Sequence, residues 1–237
     1  MAEPSLDSRP CERVSFHCFN MEIIWSGHSC FTLRGKETTL VIDPCAPPLG
    51  CAQRWGSPQA VLISHEHAGH SNIEGFARSG CDPRVFTGPG EYEVGGAFIT
   101  GVPTYHDSEN GSEKGRNTAY SIEMEGLRIC HLGDLGHPLP AAAVRELGHA
   151  DVLCVPVGDV STLSVSEART VAKALQPRYI LPMHYRSEAR PELEPVDTFL
   201  AAMGVQQAET RQKLNVTSTN LPLNPQVLVL GCESRAG

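Results

Sequence analysis

Short apolar runs separated by polar turns fill the first half of the chain and predict strands. The run Ala60–Ile63 is apolar at every position, which is typical of a strand buried on both faces. A polar-capped segment, Ser71–Ala77, follows it and predicts a short helix. The other strands predicted before residue 45 are Glu22–Trp25, Cys30–Leu33 and Thr38–Ile42.

Two hairpins are predicted where apolar segments flank a turn containing glycine. The first covers Glu91–Tyr105 and turns at Gly95-Gly96. The second joins Ala119–Glu123 to Leu127–Leu132. Between the hairpins lies a polar stretch, Asp107–Asn117, which is predicted to be a disordered loop.

Helices and strands alternate in the second half of the chain. The predicted helices are Leu139–Leu147, Ser166–Leu175 (with Ser164 or Ser166 as N-cap) and Pro195–Met203. The predicted strands are Val152–Val157, Tyr179–Met183 and Val227–Leu230. Strands followed by alternating helices and strands favour an α/β (α+β) fold in which helices cover the outer faces of the sheets.

Composition and charge narrow the function classes. The chain has 237 residues and shows no repeat or linker, so residues 21–237 are predicted to form one domain after a flexible N-terminal extension, residues 1–20. The net charge of −8 disfavours a dedicated nucleic-acid binder, although it permits a nuclease with a bound metal. No apolar run approaches the ~20 residues of a membrane span. The sequence gives no indication of oligomeric state.

Cysteine usage and the N-terminus indicate a cytoplasmic protein. The nine cysteines form no CxxC framework, and Cys30, Cys130 and Cys154 lie in apolar strand-like runs, where cysteine acts as a small hydrophobe. The first twenty residues contain no apolar segment of the kind found in a secretory signal. Both features fit a reducing compartment.

Three histidines directly follow the buried run that ends at Ile63. His65, His67 and His70 stand at spacings i, i+2 and i+5, where a strand gives way to a helix. Imidazole is the commonest neutral ligand for Zn²⁺ and related ions. One such histidine is better explained as a hydrogen-bonded loop residue, but the three together indicate a metal site.

Three further polar residues each follow an apolar strand. They are His106, Asp134 and His184. Singly, each is explained by a strand-end cap or a turn. Together with the histidine cluster they predict a metal site at a common edge of the sheets, because rigid strand ends can hold ligands in fixed positions.

In these residues the sequence resembles metallo-β-lactamase-fold hydrolases, in particular the small, ascorbate-phosphate-lactonase-like branch. The resemblance covers about Met21 to Leu230. It rests on the histidine cluster, His106 and four further segments: Trp25-Ser26-Gly27-His28-Ser29, Val41-Ile42-Asp43-Pro44, Gly133-Asp134 and Pro182-Met183-His184-Tyr185. The resemblance implies a four-layer αββα sandwich with one or two metal ions, usually zinc, at the sheet edges.

The resemblance also implies a role for each ligand. His65, His67 and His106 would bind the first ion, Asp134 would bridge, and His70 and His184 would serve the second ion. Iron or manganese would suit the same donors. Asp43 is expected to accept a hydrogen bond from a ligand imidazole, with a turn-forming Asp-Pro as an equal alternative.

One position departs from the family pattern His-x-His-x-Asp-His. Gly69 stands where the aspartate belongs, so the second site loses a charged ligand. A tight first site and a labile or empty second site are therefore expected. Glu66 and Asp107 are considered as replacements, whereas His17, His28, His131, His137 and His149 match no ligand position.

The expected function is metal-dependent hydrolysis of a small ester, lactone or phosphoester by a metal-activated water that Asp134 orients. Lys114, Arg116 and Asn117 are the donors of the predicted loop that could pair with an anion, against a simpler reading as a solvated face. Tyr185 is expected to pack rather than to contact substrate. Two alternatives stay open: a nuclease of the same fold, and a degenerate relative that binds metal without turnover, which Gly69 suggests.

Overall fold

Two mixed β-sheets form the centre of the molecule. The computed structural model describes residues 20–50 and 55–232. The strands, in chain order, are β1 Met21–Trp25, β2 Phe31–Arg34, β3 Thr39–Ile42, β4 Ala60–Ile63, β5 Arg84–Thr87, β6 Gly90–Val94, β7 Ala97–Tyr105, β8 Arg116–Met124, β9 Leu127–His131, β10 Val152–Pro156, β11 Tyr179–Met183, β12 Glu209–Arg211, β13 Leu214–Val216 and β14 Gln226–Leu230. The first sheet has the order β13-β1-β2-β3-β4-β5, and the second has β12-β14-β11-β10-β9-β8-β7-β6.

Strand direction brings several carboxyl ends to one edge of each sheet. In the first sheet β3 runs parallel to β4. In the second sheet β9, β10 and β11 run parallel, and β7 shares their direction because β8 is antiparallel to both β7 and β9. All residues of β4, β10 and β11 are buried, as expected for parallel strands covered on both faces.

Helices cover the outer faces of both sheets. They are α1 Glu74–Arg78, α2 Ala141–Leu147, α3 Val165–Leu175 and α4 Val196–Ala202. The N-cap of α3 is Ser164, whose side chain forms a capping box with Glu167. Within residues 20–50 and 55–232, none of the helices is long and apolar enough to cross a membrane.

Three hydrophobic clusters separate the layers. One fills the space between the two sheets and includes Phe31, Leu62 and Tyr120. A second packs the second sheet against α2, α3 and α4. The third, which includes Phe76 of α1, covers the outer face of the first sheet. The order helix, sheet, sheet, helix confirms the predicted αββα sandwich.

The structure corrects several predicted elements. The strands β5, β12 and β13 were not predicted: each is short, lies at or next to a sheet end, and exposes polar residues, so its apolar pattern is weak. The segment Asp107–Asn117 is an ordered loop, because the carboxylate of Asp107 accepts hydrogen bonds from four backbone N–H groups, those of residues 109, 111, 113 and 114. Its last two residues already belong to β8.

The cysteines only partly follow the expectation. Cys30, Cys130 and Cys154 are fully buried free thiols, as predicted for small hydrophobes. Cys232, in contrast, is disulfide-bonded, which the cysteine spacing did not predict. The predicted extension, residues 1–20, lies outside the described residues except for Asn20.

Candidate metal centre

Strand ends from both sheets deliver the candidate ligands to one place. His65, His67 and His70 follow the carboxyl end of β4 in the first sheet. Directly beyond β7 and β11 of the second sheet stand His106 and His184, and Asp134 follows β9. Residues up to 119 positions apart in the chain therefore face each other across the edge of the sandwich.

The carboxylate of Asp134 lies at the centre of the cluster. Its Oδ2 is 3.1 Å from Nε2 of His184 and 3.2 Å from Nε2 of both His70 and His106. Nε2 of His65 is 3.8 Å from the same oxygen. One oxygen thus faces four imidazole nitrogens, which is the position required of a ligand that bridges two ions.

The ligand atoms divide into two groups. The first group consists of His65, His67 and His106, and the second consists of His28, His70, Asp134 and His184. Within each group the candidate ligand atoms lie within 4.8 Å of one another. All four residues of the second group are buried, whereas His67 of the first group is exposed.

Hydrogen bonds to Asp43 and Ser64 place a proton on Nδ1 of two candidate ligand imidazoles. Asp43, which is fully buried, accepts from Nδ1 of His70 at 3.0 Å and from the Ser64 hydroxyl at 2.6 Å. Since that hydroxyl donates its one proton to Asp43, it accepts from Nδ1 of His65 at 2.9 Å. Nδ1 therefore carries a proton in both His65 and His70, and Nε2 of each ring is directed at Asp134.

The predicted role of Asp43 as a hydrogen-bond partner of a ligand imidazole agrees with this geometry. Carboxylate–imidazole contacts of this kind orient metal-bound histidines and raise their basicity. Ser64 was assigned no role from the sequence, so its contact with His65 was missed. The directly adjacent Ser-His pair was the available signal.

Burial and neighbouring charges fix the protonation of the cluster. Burial, and then the proximity of His70, lowers the pKa of His65 to about 3, and burial lowers the pKa of His28 to about 2. Burial opposes the charged form of His70 too, but the carboxylates of Asp134 and Asp43 on its two nitrogens raise its pKa to about 10. Burial would likewise raise the pKa of Asp134, yet His184 and His70 hold it well below its usual value.

The residues present fit a bound divalent cation. Nε2 of His65 is buried and has no hydrogen-bond partner among the described residues, although its lone pair points into the cluster. A buried polar atom without a partner is costly, and a cation between the imidazoles would satisfy it. Imidazoles with one ionised carboxylate are a donor set that suits Zn²⁺, Fe²⁺ and similar ions, and a cation bound at Nε2 of His70 would replace the proton that the two carboxylates favour there.

Backbone conformation at the cluster is unusual. His28, Asp43 and His184 have φ of 51°, 47° and 51°, in the left-handed region that few non-glycine residues adopt. Such conformations persist where the surrounding structure enforces them, and they concentrate at functional sites. The peptide N–H of Asp134 is held by the side-chain oxygen of Asn117 at 3.0 Å.

A cavity of about 700 Å³ opens beside the first group. Its lining includes His65 and His67 together with Tyr105, Lys114 and Arg116. Arg116 makes no ion pair with any residue that the structure describes, while Nζ of Lys114 lies 3.4 Å from two backbone carbonyls, those of residues 160 and 161. The first group therefore borders the space that a substrate would fill, and the second group lies deeper.

The structure brings together every residue predicted for the site and corrects three other interpretations. His28 had been assigned no ligand position, yet its ring belongs to the second group. The carboxylate of Asp107 is committed to its loop, and exposed Glu66 belongs to neither group, so neither replaces the missing aspartate. Asn117 is buried and bonds Thr104 and the carbonyl of residue 132, so it is a scaffold residue rather than a solvated donor.

The remaining candidates do not join the cluster. His131 is fully buried and pairs with the backbone of residues 29 and 133. His137 pairs with the backbone of residues 105 and 138, and exposed His149 belongs to neither ligand group. The ring of Tyr185 packs against Trp25 with centroids 5.3 Å apart, as predicted, and His17 lies outside the described residues.

Comparison with known proteins shows the superfamily of this chain and several relatives with similar sequences. A family model described as the beta-lactamase superfamily domain matches residues 22–184. A UPF0173 protein of Pyrococcus furiosus is 34% identical over 191 residues, which cover 73% of this chain and 88% of that protein. A UPF0173 metal-dependent hydrolase of Thermoplasma acidophilum is 28% identical over 191 residues, covering 71% of this chain and 84% of that protein.

A solved structure is similar over almost its whole length. The crystal structure is of a Thermotoga maritima protein provisionally named a Zn-dependent hydrolase of the metallo-beta-lactamase superfamily. It matches with a TM-score of 0.72 and 36% sequence identity, and the match covers 89% of this chain and 98% of that one.

Proposed function

We propose that this chain, which belongs to the UPF0173 metal-dependent hydrolase family of the metallo-β-lactamase superfamily, hydrolyses a small anionic ester, lactone or phosphoester. The relatives named above are UPF0173 proteins, so the ascorbate-phosphate-lactonase-like branch stays a prediction. The observation that carries the proposal is the convergence of four imidazole nitrogens on one carboxylate oxygen of Asp134.

The first group supplies the ligands of one cation, which we take to be zinc, with iron or manganese as alternatives. His65, His67 and His106 would hold this ion, and His65 and His67 line the cavity. Such an ion, when bound, lowers the pKa of a water toward ~7 and polarises a carbonyl or phosphoryl oxygen.

Asp134 has a second role in the proposed reaction. Its carboxylate is ionised, because His184 and His70 hold its pKa well below the usual value against the effect of burial. An ionised carboxylate accepts a hydrogen bond and so orients an attacking water toward the cavity. Ser29 donates to the other oxygen, Oδ1, at 3.4 Å, which helps to fix the orientation of the carboxylate.

Charge in the cavity favours an anionic small molecule. Lys114 and Arg116 lie on its wall, and Arg116 is free to pair with a substrate carboxylate or phosphate. A cavity of about 700 Å³ is of the size that holds small-molecule ligands. The net charge of −8 disfavours a long polyanion, so we propose no nucleic-acid substrate.

A substrate screen tests this function. Protein purified without added metal is assayed on anionic and neutral esters, lactones and phosphoesters, before and after chelation. We expect hydrolysis of an anionic member, loss of at least 100-fold in kcat/KM in His67→Ala, and no change in His149→Ala, which removes an exposed histidine outside the cluster. Cation binding without hydrolysis of any member would contradict the proposal and support the degenerate alternative.

A further inference from the structure

His28 lies in the turn between β1 and β2, far in sequence from the other members of the second group. Its ring centroid is 4.2 Å from that of His184 and 4.9 Å from that of His70. One of its ring nitrogens lies within 4.8 Å of the candidate ligand atoms of His70, Asp134 and His184. The turn is tied to the cluster, because the carbonyl of His28 accepts from the backbone N–H of His184 at 3.0 Å.

The ring of His28 fills the space beside Gly69. A Cβ built on Gly69 would lie 3.1 Å from Nε2 and 3.2 Å from Cδ2 of His28. The φ of Gly69 is not in the positive range, so the backbone would accept a side chain there. The imidazole of His28, together with the end of the Leu49 side chain, is therefore what occupies this space.

Both ring nitrogens of His28 lack a hydrogen-bond partner within residues 20–50 and 55–232, although the residue is only 7% exposed. The ring of His28 instead lies beside three other side chains that can bind a metal, those of His70, Asp134 and His184. The same turn also holds His28 at a φ of 51°.

We propose that His28 is a ligand of the second cation and takes the place that a carboxylate at residue 69 would occupy. The second site is then a set of three imidazoles and one carboxylate: His28, His70, His184 and Asp134. This inference rests on the cation cluster of the proposed function. It replaces the expectation of a labile or empty second site, since the ligand number is restored by a residue from another loop.

The identity of the replacement ligand has a chemical consequence. The second site carries one negative ligand charge, from Asp134, whereas an aspartate at residue 69 would add another. Nitrogen-rich sites favour zinc and its neighbours over manganese, which prefers oxygen ligands. A lower ligand charge also leaves more of the cation charge available to an anionic substrate.

The test is a ligand exchange. Metal-free wild type, His28→Ala and the double variant His28→Ala/Gly69→Asp are titrated with Zn²⁺ against a chromophoric chelator. We expect two equivalents in the wild type, a second equivalent at least 10–100-fold weaker in His28→Ala, and recovery of most of that loss in the double variant. His149→Ala serves as the control and keeps both equivalents.

A second measurement uses only the wild type and so does not depend on the folding of a variant. In Co²⁺-loaded protein, paramagnetically shifted ring-proton signals should arise from six histidines, the five predicted ligands and His28. Signals from five, or an unchanged second equivalent in folded His28→Ala, would overturn the role of His28. A wild type that binds one cation overturns this inference alone, whereas one that binds none also overturns the proposed function.

Discussion

Replacing Asp43 with asparagine should change the protonation of two ligand imidazoles at once. The carboxylate accepts from the backbone N–H and the hydroxyl of Ser64 and from Nδ1 of His70, at 2.7, 2.6 and 3.0 Å. Asparagine keeps the shape, and it tolerates the φ of 47° at this position well. It offers one acceptor oxygen and one NH₂ donor in place of two acceptors.

The NH₂ group of asparagine reverses the direction of the hydrogen bonds that join residue 43 to Ser64 and Ser64 to His65. When the amide oxygen stays on the backbone N–H of Ser64, the NH₂ group faces the Ser64 hydroxyl and His70. The hydroxyl then accepts from the amide and donates to Nδ1 of His65, which shifts the proton of that imidazole to Nε2. His70 likewise loses the acceptor of its Nδ1 proton. Both imidazoles then present the wrong nitrogen to a cation.

The expected magnitude follows from comparable contacts behind metal ligands. Loss of such a partner costs 10–100-fold in metal affinity, or about 1.4–2.8 kcal/mol. Because His65 belongs to the first group and His70 to the second, both affinities should fall in Asp43→Asn. In Ser64→Ala, which keeps the contact between Asp43 and His70, the first affinity should fall more than the second.

Zinc titration of metal-free protein against a chelator measures both affinities, and circular dichroism checks that each variant is folded. Folded Asp43→Asn that retains both affinities within about twofold would refute this reasoning. Equal losses at the two sites in Ser64→Ala would also contradict it, since that variant leaves the partner of His70 in place.

Three further changes have defined outcomes. Gly133→Ala should destabilise the fold by about 2–4 kcal/mol in chemical denaturation, because φ of Gly133 is 56° and an added Cβ would lie 2.6 Å from the Cβ of Ser64. A loss of stability below about 0.5 kcal/mol would contradict this prediction. The backbone N–H groups on Asp107 lower its pKa to about 2, so its stabilising effect is complete above pH 4 and is lost as pH falls toward 2. The stability difference between wild type and Asp107→Asn should therefore shrink over that range, and a constant difference would contradict the assignment. Arg116→Ala should raise KM for an anionic substrate about tenfold with kcat unchanged, and an equal effect on a neutral analogue would argue against charge pairing.

Much of the architecture is predictable because buried parallel strands and glycine turns leave strong local patterns. The bounds of β4 and β11 agree with the prediction residue for residue, since each apolar run ends at a polar residue that belongs to the site. The three missed strands lie at or next to the ends of the sheets, where exposed polar side chains weaken the pattern. Their pairing depends on neighbours distant in sequence.

The candidate site was predictable as far as residue type and strand-end position determine it. His28 was missed because it lies 106 positions before Asp134, in a turn of the other sheet, and no spacing relates the two. The available signal was Gly69: a ligand position without a side chain leaves space for a ligand from elsewhere. Asn117 was wrongly predicted to face solvent because its side chain is polar. The side chain is buried, and its oxygen accepts a hydrogen bond from the backbone N–H of Asp134.

The central claim is that the side chains around Asp134 bind cations that the hydrolytic reaction requires. Elemental analysis of protein purified without added metal, coupled to hydrolysis before and after chelation and re-addition of zinc, measures it most directly. The account predicts two cations per chain, loss of turnover on chelation and recovery on re-addition. Folded protein that takes up no divalent cation, or that hydrolyses its substrate equally well after complete removal of metal, would contradict it.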